Sequence, residues 1–216
     1  MTELEFRPPV VLDGSRVRLI PLAAAHAPEL AAAADDPDIW TFLPYGPCRT
    51  PESMAGLIAT LLSRQSAGTD LAFTVQLRST GRLCGMTRYL SIDRVNRWVE
   101  IGGTWYAKEL WRTPVNTEAK RLLLAHAFET EGVHRVQLKT DLRNDRSQRA
   151  IARLGAVREG ILREHVRMPD GYARSSVVYG IVRDEWPMVR GRLDSYLRRP
   201  WGEDATGRGT TAAASP

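Results

Sequence analysis

The sequence predicts a mixed α/β domain of the α+β type, and three observations carry that reading. Period-two alternation of polar and apolar residues recurs in short stretches along the chain; helical stretches with broad apolar surfaces fall between them; and two strand candidates run straight into the start of a helix. With 216 residues, 43% hydrophobic and 25% charged, the chain has apolar material for one core and needs no second domain. The expected domain covers residues 1–201. Gly202–Pro216, rich in Gly, Ala, Thr and Ser, has little to bury and is expected to be a disordered tail.

The elements follow in order. Arg16–Ile20 alternates as a half-buried strand does. Pro21 leads into Ala23–Ala34, an alanine-rich helix former that Asp35-Asp36-Pro37-Asp38 stops. Ile39–Pro51 carries Trp40, Phe42, Tyr45 and three prolines, a loop suited either to wall a cleft or to cover the sheet edge; a second helix runs from Pro51 to about Gln65. From Leu71 the period becomes two, with Ala72–Arg78 and Leu83–Leu90 flanking the turn Ser79-Thr80-Gly81 as a hairpin. Trp98–Trp105 is the next strand. Thr117–Glu131 is helical, with Leu122, Leu123, Ala125, His126 and Phe128 on a broad apolar surface and Gly132 placed to end it. His134–Asp141 alternates again, Val136 and Leu138 opposed to Gln137 and Lys139. The helix Ser147–Leu154 closes at Gly155, and two long strands, Val157–Met168 and Tyr172–Val182, are joined by Pro169-Asp170-Gly171.

Composition removes several classes of function. Met1–Pro9 lacks an apolar run beside a basic start, and no window holds 18 uninterrupted apolar residues, so neither a signal peptide nor a membrane span is indicated and a cytoplasmic protein is expected. Cys48 and Cys84 are too few for a disulfide framework and read as free thiols. The four histidines lie at no spacing that gathers metal ligands, so no metal is expected. A net charge of +5 suits an anionic cofactor, a ribosome or nucleic acid alike. All basic residues except Lys108, Lys120 and Lys139 are arginine, but they are scattered rather than set in one stripe, and a nucleic-acid partner is not expected.

The chemistry concentrates in residues 98–163. A strand that feeds a helix through a turn presents free backbone N–H groups and the positive end of the helix dipole, which together hold phosphate. Such a turn lies at Trp111–Ala119 and another at Asn144–Ser147, where Asn with Ser three residues on is also ordinary N-cap chemistry. Glu100 lies on the preceding strand. There Val99, Ile101 and Gly103 face one way and Glu100, Gly102 and Thr104 the other, so that Glu100 looks along a face of small residues. Its plain alternative is an ion pair with an arginine such as Arg97.

These segments resemble the GNAT superfamily of acyl-CoA-dependent N-acyltransferases, and within it the branch of ribosomal-protein N-terminal alanine and serine acetyltransferases. The resemblance spans about Leu12–Leu197 and is carried by Trp98–Tyr106, Trp111–Ala119, Asn144-x-x-Ser147, Leu154-Gly155-Ala156, Glu159–Arg163 and Glu185-Trp186-Pro187 taken together. It implies a central, mostly antiparallel twisted sheet flanked by helices and splayed where coenzyme A enters. The family's phosphate turn, Q/R-x-x-G-x-G/A, aligns with Trp111, Pro114 and Asn116; Pro114 offers no N–H and Asn116 puts a side chain where Gly or Ala is usual. The resemblance then assigns the cofactor to Arg112, whose guanidinium would rebuild the site, with Thr113, Val115, Asn116 and Thr117, and the pantetheine arm to Trp105, Tyr106, Ala107 and Asn144.

Acyl transfer to an amine needs a neutral nucleophile and a base to take its proton. The resemblance places Glu100 nearest the thioester as that base, and Ser147 near the cofactor sulfur, where a hydroxyl could protonate the departing thiolate. His165, with an ordinary pKa near 6.5, and Glu164 beside it are further candidates that alternation puts on opposite faces. For the acceptor, Asp35, Asp36, Asp38, Trp40 and Tyr45 in the interhelical loop, with Tyr172 at the final hairpin, would suit a cationic amine; His165 falls in the same group. Nothing supplies a covalent nucleophile, since Cys84 lies mid-strand without an evident histidine partner, so transfer is expected to run directly in a ternary complex. Acetyl-CoA is the default donor and succinyl-CoA an option, because an arginine-rich chain could meet its carboxylate. The acceptor is a protein N-terminus, a lysine or a small amine. The paired strands Val157–Val182 offer an edge for a homo-oligomer. Two other classes compete: a non-catalytic acyl-CoA-binding module, suggested by the altered phosphate turn, and a ribosome- or nucleic-acid-associated protein, suggested by charge.

Overall fold

A computed structural model describes Leu4, Phe6 and residues 10–200. The expected tail, Gly202–Pro216, lies outside the described residues. The strands are β1 (Leu12–Asp13), β2 (Val17–Pro21), β3 (Leu71–Leu77), β4 (Leu83–Asp93), β5 (Trp98–Tyr106), β6 (Arg135–Asp141), β7 (Val157–Arg167) and β8 (Ala173–Val182). The helices are α1 (Ala27–Ala33), α2 (Pro51–Ser66), α3 (Val115–Ala125), α4 (Asp145–Leu154) and α5 (Trp186–Leu197). One eight-stranded sheet runs β1-β2-β3-β4-β5-β6-β8-β7, and every neighbouring pair is antiparallel except β5 and β6. The mixed α/β architecture with a mostly antiparallel sheet is therefore as expected.

Local chemistry accounts for the helix boundaries. Thr50 and Ser53 exchange backbone and side-chain hydrogen bonds at the start of α2, with Pro51 at its first position. Asn144 Oδ1 accepts from Ser147 N at 3.0 Å and caps α4, and Gly155, at φ +105°, ends it in the left-handed conformation glycine favours.

Several elements depart from expectation: β1 was not predicted, and the helix expected over Ala23–Ala34 opens as a 3₁₀ turn, Ala24–His26, before α1. The helix predicted over Thr117–Glu131 begins two residues earlier, and after Ala125 it widens into a π-helical turn, His126–Thr130. Pro37–Ile39 forms a 3₁₀ turn capped by Asp36, which accepts from Asp38 N, where only a helix stop was expected. α5 was not predicted, although Trp186, Val189 and Leu193 carry a helical apolar stripe that packs it into the core.

Two apolar layers sandwich the sheet. α3 and α5 cover one face through Leu123, Leu124, Val189 and Leu193, packed on Val75, Val99, Ile101 and Val136. α1 and α2 cover the other face near β3 and β4 through Leu30, Met54 and Ile58, with Trp40, Ala72 and Trp105. A buried glutamate ties the amino-terminal strand to α3: Glu118 Oε1 accepts from Ser15 N and Oγ, and Oε2 from Arg16 N and Val17 N, all within 2.9 Å. Among the described residues no helix is long and apolar enough to cross a membrane.

Candidate active site

The parallel pairing of β5 with β6 is only three residues long: Trp98 with Arg135, Val99 with Val136, and Glu100 with Gln137. Beyond Glu100 the strands part. β5 continues to Tyr106 paired with β4 alone, and β6 to Asp141 paired with β8 alone. The facing edges over residues 101–106 and 138–141 thus carry backbone groups with no strand between them, the geometry that accepts an extended ligand as an added strand. Because β5 and β6 are parallel, the helices that follow them, α3 and α4, both begin at this splayed end, each with a positive dipole end.

A bulge in β5 reorients its second half. Met86 pairs with Trp105 but Arg88 with Gly102, so Gly103, at φ +57°, and Thr104 oppose Thr87 alone. This corrects the expected alternation: Thr104 does not share a face with Glu100 and Gly102. It turns under α3, where its Oγ1 lies 2.8 Å from Thr87 Oγ1 and accepts from Lys120 Nζ at 2.6 Å. Lys120 also reaches Thr87 Oγ1 at 3.3 Å, and burial drives its pKa down to about 7.

Glu100 lies at the point where the strands part and is 4% exposed. Its Oε2 accepts from Gln137 Nε2 at 3.2 Å and pairs with Lys139 Nζ at 2.9 Å. The ion pair foreseen for it therefore exists, but with Lys139 rather than Arg97. Among the described residues no donor reaches Oε1, and a Cβ built on Gly102 would stand 3.4 Å from that oxygen, so the glycine keeps open the space beside it. Across the same face His165 Nδ1 lies 3.3 Å from Ser176 Oγ on β8. Burial first, and then the charges of Lys139 and Arg174, hold the His165 pKa below its ordinary value, against the opposing pull of Glu100. Glu164, at φ +48°, sits in an irregular stretch of β7 and its N–H donates to Ser175 Oγ.

Arginines from both ends of α4 reach the opening of α3. The Arg146 guanidinium stacks 3.4 Å over the Trp111 ring, and Arg153 donates to Thr117 Oγ1 at 3.2 Å. Partial burial lowers the Arg146 pKa, the charge of Asp38 pulls it back up, and the repulsion of Arg112 adds to the lowering. Arg112 is exposed and holds a left-handed backbone, φ +65°, unusual for a residue with a side chain. A cavity of about 360 Å³ lies here between Thr41, Phe42, Trp111, Arg143, Asn144 and Arg146. Of its lining residues, Arg143 pairs with the fully buried Asp141 at 3.1 Å and stacks 3.6 Å over Tyr172.

Other predicted residues are occupied elsewhere. Thr113 is buried and donates to Leu110 O at 2.7 Å, Val115 is buried, and Asn116 is half-buried at the first turn of α3. Trp105 and Tyr106 are buried, yet among the described residues Trp105 Nε1 and Tyr106 Oη have no hydrogen-bond partner; Ala107 N donates to Cys84 O. Trp40 corrects the acceptor reading: it is 6% exposed, packs on Trp105 with ring centroids 5.8 Å apart, and its Nε1 donates to Ala34 O at 2.9 Å. Tyr45 packs edge-on against Trp40, and burial pushes its pKa up to about 12. Asp36 and Asp38 both pair with Lys108, and Asp35 with Arg49, so the loop acids are engaged within the protein. Sequence reasoning missed Arg146, Arg174 and the role of Lys139. Lys139 had a signal, because alternation on β6 puts it with Gln137 opposite Val136 and Leu138.

Known proteins share this fold. Residues 16–157 match the family model described as an acetyltransferase (GNAT) domain. A GCN5-related N-acetyltransferase from Brucella melitensis superposes with a TM-score of 0.85 at 27% identity, covering 97% of this chain and 94% of that one. Mycobacterium smegmatis RimJ, in complex with CoA-disulfide, superposes with a TM-score of 0.74 at 22% identity over 84% and 90% of the two chains. Bacillus subtilis (strain 168) "Putative ribosomal N-acetyltransferase YdaF" is 35% identical over 106 residues, which is 49% of this chain and 57% of YdaF. The family match to residues 16–157, well over half of the chain, and the splayed sheet agree: this chain belongs to the GNAT acetyltransferase family.

Proposed function

We propose that the protein transfers an acyl group, acetyl by default, from acyl-CoA to a primary amine, directly and in a ternary complex. The observation that carries this reading is the parting of β5 and β6 at Glu100 and Gln137, with α3 and α4 both opening on the gap. The residues present suit the cofactor: Arg112 and Arg146 offer cationic groups for phosphates at the α3 opening, and the strand edge beyond Glu100 offers amide partners for a pantetheine arm. Acyl-CoA supplies the activated acyl carbon as a thioester.

Glu100 is the proposed proton acceptor. Lys139 and Gln137 hold Oε2 and fix the carboxylate, while Oε1, beside Gly102, takes the proton from the acceptor amine, directly or through one water. Ser147, half-buried beside its capping partner Asn144, is the proposed donor to the thiolate. The likeness to YdaF, and to structures of ribosomal-protein acetyltransferases, supports a protein amine as acceptor and a cytoplasmic setting. Lys139, His165 and Arg174 gather cationic or protonatable groups beside Glu100, which favours an acceptor that brings a carboxylate or backbone carbonyls near its amine, as a peptide does.

The test is thiol release from acetyl-CoA and succinyl-CoA with peptide N-termini, lysine and polyamines as acceptors. Glu100→Gln lowers kcat by about 10²–10⁴, the usual worth of a general base, while acyl-CoA binding persists. Gly102→Ala, which fills the space beside Oε1, lowers kcat in the same direction. Acyl-CoA binding without turnover on any amine would support the non-catalytic acyl-CoA-binding module instead.

A further inference from the structure

Among the described residues the buried lysine and arginine side chains are Arg88, Lys120 and Arg174. A cation taken out of water needs a counter-ion or must give up its proton. Arg88 has Asp70, whose Oδ2 lies 3.3 Å from its Nε. Lys120 has no acid beside it, but its pKa falls to about 7, so it can rest neutral. Arg174 has neither way out. It is 7% exposed, and although burial lowers its pKa a guanidinium stays charged throughout the physiological range. The two carboxylates whose charges reach it, Asp141 and Glu100, are each held by another cation, Arg143 at 3.1 Å and Lys139 at 2.9 Å. Its one hydrogen bond among the described residues runs from Nη1 to Phe42 O at 3.2 Å, and its Nε is buried without a partner.

We propose that Arg174 sets the specificity of the acceptor site, and that the acceptor carries a carboxylate a few bonds from its reacting amine, bound side-on by the guanidinium. With Nη1 taken by Phe42, the edge left over is the one formed by Nε and Nη2, two parallel N–H groups in one plane that match the two oxygens of a carboxylate. Arg174 stands two residues before Ser176 on β8, and so on the same face as Ser176 and the His165 ring beside it. In the sheet order β8 lies across β6 from the gap that β5 and β6 leave, which puts Arg174 away from the strand-like path of the donor and toward the acceptor. The inference rests on the reading of Glu100 as the base for that amine, and it narrows it: a polyamine would add charge to a site that already has too much, whereas an acid completes it. The lowered pKa of His165, to which Lys139 and Arg174 both contribute after burial, reports the same positive field. Two acceptors bring this chemistry, a protein N-terminus followed by an acidic side chain and a small amino acid with its own carboxylate.

Calorimetric binding to the full chain loaded with CoA, together with initial rates on acetyl-CoA, tests this with matched pairs: peptides beginning Ala-Asp and Ala-Asn, and β-alanine and its amide. The acid of at least one pair binds the wild type about 10–100-fold more tightly than its amide, as expected of a charge-assisted pair, and the pair that shows it names the source. Arg174→Met, of similar length without the charge, brings that ratio to about one; Arg174→Lys, a cation without the fork, keeps only part of it. Circular dichroism shows that each variant is folded. Equal binding of acid and amide in both pairs, a preference that survives Arg174→Met, or a preference for succinyl-CoA over acetyl-CoA with acceptors indifferent would each overturn the proposal. Turnover on amines without preference for acids fails this inference and spares the transferase; selective binding of acids with no turnover on any amine fails the transferase reading and spares the carboxylate site.

Discussion

Lys120→Met isolates the energetic effect of the buried amine under α3. Lys120 is 6% exposed and rests on two threonine hydroxyls, and burial brings its pKa down from an ordinary 10.5 to about 7. The unfolded chain therefore holds one more proton than the folded one between about pH 7 and 10.5. Stability rises with pH wherever the unfolded state binds more protons, so the wild type gains stability through that window and is least stable below it. At ~1.4 kcal/mol per pH unit, the gain from pH 7 to pH 10 is about 3–4 kcal/mol, fading as the unfolded lysine begins to titrate. Methionine, of similar volume, removes this term. Urea unfolding of both proteins at pH 7, 8.5 and 10 reads it as a difference, which cancels Lys108, Lys139 and the tyrosines. Lys120→Met is expected to be the more stable relative to wild type at pH 7, with that advantage shrinking as pH rises. A difference flat across the three pH values would refute the reasoning, because the folded amine would then be charged.

Glu118→Ala removes an acceptor for four hydrogen bonds and leaves the N–H of Val17, fully buried, without a partner; a loss of about 3–5 kcal/mol, or roughly 6–20 °C in Tm, is expected by calorimetry. Glu118→Gln, which can keep one oxygen on Arg16 and Val17 and turn its amide toward the exposed Ser15, costs about half as much. Arg146→Ala removes the Trp111 stack and a cation at the α3 opening, raising KM for acyl-CoA about 3–10-fold with little change in kcat, read from initial rates. If neutral His165 serves the acceptor side, the acid limb of kcat/KM falls below pH 6.5, because its pKa is lowered and the imidazole stays neutral to lower pH; His165→Asn removes that limb.

Much of the fold was legible because its signals are local. Period-two stretches, the Pro51 helix start, the Asn144 cap and the Gly132 and Gly155 stops each act within a few residues, and the structure places strands and helices on them. The β5 bulge was not legible. Gly102 and Gly103 are equivalent in sequence, and only the pairing with β4 decides which takes the left-handed conformation and turns Thr104 under α3. Trp40 was misassigned for a related reason: an aromatic residue in a proline-rich loop reads the same whether it lines a cleft or packs on Trp105. At the site, Glu100 and the turns at Trp111 and Asn144 were visible in the sequence. The partners Lys139, Arg174 and Arg146 depend on which strands and helices adjoin.

The three-residue seam between β5 and β6 also divides the chain in time. β1 to β5 pair only with their sequence neighbours, so that half-sheet closes short loops and can form as the chain emerges. β6 is completed on its other side only by β8, which follows β7 in the chain, so the second half-sheet closes last. The two halves are thus expected to be separate units of native-state hydrogen exchange, with Glu100 at their boundary. A ligand lodged in the gap would bridge them, slowing the exchange of β6 and β8 together with that of β5.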